Sequence, residues 1–62
     1  MRTYQVAKNA SVLWITVDGE GACTKAESPT HPCFRDDLIA GRPWDEVERE
    51  FKGHGFTVTL GN

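Results

Sequence analysis

The sequence is short of most features that would name a chemistry. Two cysteines in 62 residues, Cys23 and Cys33, allow one bridge at most, so the chain is no disulfide scaffold. No apolar run is longer than Val12–Ile15, far below the roughly 20 residues that cross a bilayer. Met1–Gln5 leads straight into alternating residues without the apolar segment of a secretory leader, so the expected setting is the reducing cytoplasm with free thiols. Basic excess is missing as well. Seven Lys+Arg stand against nine Asp+Glu, a formal −2, which argues against a domain that simply tracks phosphates. No glycine-rich phosphate loop is present, because Gly19-Glu20-Gly21 reads as a hairpin turn and Gly53-His54-Gly55 leaves a helix instead of opening one. A deep cofactor pocket is excluded by size: a chain this short buries only about 60% of its unfolded surface, and a ligand cavity would consume the core. No cofactor is expected.

The composition is that of a globular protein, 39% apolar and 26% charged, and residues 1–62 read as a single domain. Thr3–Ala7 alternates, Asn9-Ala10 makes a tight connection, and Ser11–Val17 is rich in β-formers. Asp18-Gly19-Glu20-Gly21 signals a second reversal, followed by a short strand over Ala22–Lys25. Ser28-Pro29-Thr30-His31-Pro32 then ends the sheet pattern. Phe34, Leu38 and Ile39 predict a first short helix closed by Gly41. Pro43 suits the first position of a second helix, with Asp45 and Glu46 near its positive end and Trp44, Val47 and Phe51 on one stripe. Phe56, Val58 and Leu60 alternate as a last strand. The expected fold is α+β, a three- to four-stranded antiparallel sheet with two short helices on one face, in the order β-β-β-α-α-β.

Register then assigns faces. A two-residue loop at Asn9-Ala10 pairs Val6 with Leu13 and Tyr4 with Ile15, and these four point to the helices together with Val17, Phe56, Val58 and Leu60. The outer face carries Gln5, Ala7, Val12, Trp14, Thr16, Thr57 and Thr59, with Cys23 and Lys25 expected there too. Trp14 on a face with no helix left to cover it is a candidate anchor for a partner. The competing reading lays its ring flat beneath the Lys25 stem.

Charge is uneven. Residues 1–33 balance, whereas Arg35, Arg42, Arg49 and Lys52 against Asp36, Asp37, Asp45, Glu46, Glu48 and Glu50 place the whole −2 on the helical half. Asp45/Arg49 and Glu48/Lys52 are i, i+4 partners, while Glu46 and Glu50 form a like-charge pair. Asp36, Asp37, Asp45, Glu46 and Glu50 are therefore candidates for presenting carboxylates to a basic surface, in imitation of a phosphate row. The ordinary alternative is a solvated helix face.

Cys23, His31, Cys33 and His54 number the four ligands of a tetrahedral zinc site, but their C-x7-H-x-C…H spacing matches no zinc-finger, ribbon or knuckle pattern, and no metal is expected. Cys33 near a helix start has no orienting carboxylate to make it a nucleophile, and Glu46/Glu50 have nothing apolar to separate their pKa values. No catalytic residue is assigned, and the chain is read as non-enzymatic.

Small size, a single α+β domain, mild acidity and the lack of a catalytic motif together resemble the phage and mobile-element inhibitors of the anti-CRISPR kind. That resemblance spans the whole chain and is one of type. The class shares no common fold, so no residue carries over by position. It implies a protein that occludes the nucleic-acid channel of a host ribonucleoprotein, in some members through acidic side chains. The expected function is a protein-binding inhibitor or modulator of a basic, nucleic-acid-handling complex, working without direct nucleic-acid or membrane contact as a monomer or weak homodimer. The alternatives are a single-stranded nucleic-acid module with Tyr4 or Trp14 stacking a base and Lys25 contacting phosphate, or a structural homodimer joined through the open sheet face.

Overall fold

Alternation and tight turns produce three antiparallel strands in succession: β1 (Arg2–Lys8), β2 (Ser11–Val17) and β3 (Cys23–Glu27). The structure is a computed structural model and describes residues 1–29 and 39–61. A helix, α1 (Trp44–Gly53), and a fourth strand, β4 (Thr57–Leu60), complete the described chain. The sheet runs β3-β2-β1-β4, so the last strand joins the first at the edge opposite β3. The class is α+β, with one helix among the described residues. The first expected helix, with its Phe34 and Leu38, lies outside the described residues.

The expected hairpin register holds. Asn9 takes a left-handed φ of 55°, Lys8 faces Ser11, and Val6↔Leu13 and Tyr4↔Ile15 follow. Two boundaries differ from expectation. β3 begins at Cys23 and continues to Glu27, with Ala26 facing Ile15 in the core. Pro43 is the residue before the helix, with extended ψ of 134°, because its strand-like backbone bridges to Ala22. The helix closes at His54, and Gly55 supplies the positive φ of 88° that turns the chain into β4.

Val6, Leu13, Ile15, Val17, Cys23, Ala26, Ile39, Trp44 and Val47 form the buried core, and Tyr4, Phe51, Phe56 and Val58 pack around it. Phe51 meets Phe56 edge-on at 5.1 Å between centroids, fixing α1 to the strand that follows it. Leu60 was expected in this core and is instead 60% exposed. Alternation puts its side chain on the helix side, but β4 is an edge strand and its packing against the core is carried by Val58.

Cys23 is the second correction. It is fully buried on the helix side of the sheet, where the outer face was expected. The ladder shifts between Thr16 and Val17: Thr16 faces Lys25, but Val17 faces Cys23, leaving Thr24 as an extra residue in a β-bulge. That residue returns Cys23 to the inner face while Lys25 stays outside.

Candidate functional site

Trp14 and the acidic helix lie on opposite faces of the sheet, so they cannot serve one contact surface. Trp14 occupies the outer face, half-buried between Glu27 on β3 and Gln5 on β1. Its indole reaches away from Lys25, across β1, to Gly61, where a Cβ would lie only 2.8 Å from Cζ3. Gly61 is held there by its N–H, which donates to the Thr3 carbonyl at 2.8 Å. Lys25 pairs with Glu27 at 2.9 Å.

The Glu46/Glu50 pair is not a free acidic edge. Arg42, one residue before the Pro43 cap, sends Nη2 to Glu46 Oε1 at 2.6 Å and also to Glu50 Oε2. Those two bonds, the one to Glu46 foremost, hold the guanidinium proton still more firmly than usual. Glu48 pairs with Lys52 at 3.1 Å as the spacing predicts. Asp45 and Arg49 form no ion pair among the described residues. Asp36 and Asp37 lie outside the described residues.

Asp45 instead faces a different feature. At the N-terminal end of α1 the surface is hollowed into a groove of about 560 Å³, bounded by the start of β1, the 18–21 turn, and Pro43–Asp45 with Glu48. Among the described residues four carboxylates line it: Asp18, Glu20, Asp45 and Glu48. Tyr4 and Trp44 also line it, stacked at 4.4 Å between centroids and 19° between planes. Among the described residues Arg2 is the one cationic side chain in the lining, its Nη1 lying 3.5 Å from the Tyr4 hydroxyl, and Met1 adds the N-terminal ammonium.

The turn that forms the groove wall is built by Asp18. Its Oδ1 accepts the Glu20 N–H at 2.8 Å and the Ala22 N–H at 3.0 Å, while its own N–H donates to the Ala22 carbonyl. The Ala22 bond and then the Glu20 bond lower the carboxyl pKa from its ordinary value, so the group stays charged. Trp44 N–H donates to the Gly21 carbonyl at 2.8 Å, which ties the turn to the helix start. Arg42, Asp18, Glu20 and Glu48 are not among the site residues expected from the sequence, and Tyr4 is expected only as a base-stacking alternative to Trp14. A signal for Arg42 was available, since it stands four residues before Glu46 and eight before Glu50.

Cys23 and His54 cannot share a metal ion. Cys23 adjoins Val17, which faces Arg2 at one end of β1, whereas the His54 carbonyl accepts from Lys8 at the other end, 2.7 Å from Nζ. Six steps of strand separate those ends, about 20 Å. His31 and Cys33 lie outside the described residues, and among the described residues no three His, Cys, Asp or Glu side chains are placed to hold a metal. No helix of the described residues is long and apolar enough to cross a membrane. Comparison with protein-family models, with curated proteins and with solved structures finds no match for this chain.

Proposed function

We propose that this chain is a non-enzymatic binding protein that inhibits or modulates a basic, nucleic-acid-handling partner. The observation that carries the reading is the groove beside Asp45: the Asp18, Glu20 and Asp45 carboxylates, with Lys52-paired Glu48 at the rim, beside a stacked Tyr4–Trp44 pair suit an arginine or lysine side chain, which gains charge pairing and an aromatic surface together. This moves the contact surface along the helix from the expected Glu46/Glu50 edge, whose charge Arg42 already satisfies, to its N-terminal end. The resemblance to anti-CRISPR inhibitors in size and architecture points the same way, toward a ribonucleoprotein whose nucleic-acid channel is basic. The single-stranded nucleic-acid reading loses support, because the Trp14 ring is half-buried against Gly61 and Lys25 is engaged by Glu27.

Calorimetric titration with an arginine-rich peptide at low and moderate salt tests the groove. Binding is expected to weaken as salt rises, to fall more than about tenfold in Glu20→Lys/Asp45→Lys, and to persist in Glu46→Gln/Glu50→Gln. Equal affinity for the wild type and the charge-reversed groove variant would exclude the groove. Affinity capture from the native host with the same variants then identifies the partner.

A further inference from the structure

The two edges of the sheet are built differently. β3 carries the bulge at Cys23–Thr24 and the charged pair Lys25 and Glu27, and its first residue is covered. Cys23 N–H donates to the Arg42 carbonyl at 2.9 Å, and Gly41 N–H donates to the Cys23 carbonyl at 2.7 Å. These are the devices by which native sheets guard an edge against another strand. Among the described residues β4 has no such bulge, charge or cover. Thr57-Val58-Thr59-Leu60 is uncharged, free of proline and unbulged, and all but Val58 are exposed.

The ladder shows which groups that edge offers. Gly61 N–H bonds to Thr3, and the register continues as Tyr4↔Leu60, Gln5↔Thr59 and Val6↔Val58. Bonded and non-bonded pairs alternate along an antiparallel ladder. Thr59 therefore directs its N–H and C=O toward β1, while Val58 and Leu60 direct theirs away from the sheet.

We propose that β4 is a self-association edge and that its occupant is β4 of a second copy, paired antiparallel about a two-fold axis at Thr59. Among two-fold registers, this one uses every outward group. Val58 meets Leu60 of the other copy and the reverse, giving four backbone hydrogen bonds and one continuous eight-stranded sheet. It also accounts for the exposed side chain of Leu60, which comes to lie beside Val58 of the second copy on the helix side. The two Thr59 side chains become a close, non-hydrogen-bonded pair on the outer face. With no charge on the strand, pairing with a like strand sets no like charges of β4 against each other. This surface is separate from the acidic groove, so either stands if the other fails.

Sedimentation from micromolar to millimolar concentration tests the proposal in a Cys33→Ser background. The mass is expected to rise from 6.9 kDa toward twice that value. Thr59→Lys sets like charges opposite each other at an exposed position and weakens association by about tenfold or more. Oxidation of Thr59→Cys yields a covalent dimer, whereas Thr57→Cys, which would face Gly61 of the other copy, does not. Circular dichroism of each variant establishes that the monomer fold is kept. A parent that stays monomeric throughout overturns the proposal. So does association that survives Thr59→Lys with no cross-link at Thr59→Cys, because the contact then lies elsewhere.

Discussion

Trp14 and Gly61 are a matched pair: the indole edge occupies the space that any side chain at residue 61 would need. The only described glycine with a contact this close is Gly61, and its backbone is not left-handed, so its lack of a side chain serves the ring. Gly61→Ala is expected to push the indole off the outer face and to destabilise the fold by about 1 kcal/mol, the low end of overpacking because the ring is half-buried. Thermal unfolding should fall by about 4–8 °C, and a red-shifted component should appear in the emission while buried Trp44 stays blue. Gly53→Ala is the control. Its added methyl enters open space at the end of α1, so unchanged or slightly raised stability is expected there.

Local chemistry made the strands, the Asn9-Ala10 register and the Trp44/Val47 stripe legible, because each depends on a few neighbouring residues. What escaped depends on tertiary arrangement. Nothing in Ala22-Cys23-Thr24 announces that two residues will face one, so Cys23 was given the wrong face. Alternation told which side Leu60 faces but not that Val58 carries the packing of β4 against the core. Pro43 hid the clamp, since counting i, i+4 pairs from the first helical residue leaves out Arg42, although the same spacing continues across the cap. The groove was out of reach of local reasoning altogether, because the 18–21 turn and the start of α1 are distant in sequence and are brought together by tertiary pairing, the Ala22–Pro43 bridge with its Trp44–Gly21 hydrogen bond.

Asp18 should be the acid-sensitive joint of the fold. Its carboxylate accepts two backbone donors in the folded state, and its pKa there lies below the ordinary 3.8. A group with a depressed folded pKa contributes stability above its unfolded pKa and loses it as pH falls through the folded value. Asp18→Asn keeps an acceptor oxygen but no charge. Its stability is therefore expected to lie below the wild type at neutral pH, with the two curves converging below pH 3.8. Asp18→Ala leaves the Glu20 and Ala22 amides without their acceptor, so it should be the less stable variant at every pH. Denaturant unfolding across the acid range checks this, and parallel curves for wild type and Asp18→Asn would exclude the linkage.

Cys23 should show the opposite pH behaviour and should be unreactive while the sheet is intact. Burial raises its thiol pKa above the ordinary 9.0, an effect that Arg42 nearby reduces without cancelling. A raised folded pKa means that the stability it confers is complete below the unfolded value and falls away as pH rises from 9.0 toward the folded one. Cys23→Ala removes a buried sulfur at a cost of about 1 kcal/mol at neutral pH and should abolish the part of the alkaline decline that comes from this thiol. Iodoacetamide labelling, read by peptide mass at residue 23, should proceed slowly in buffer and rapidly in denaturant, since attack needs a thiolate in contact with solvent. Labelling of the native protein as fast as that of the unfolded chain would mean that the bulged start of β3 opens freely, and that the Gly41–Arg42 backbone does not seal that edge.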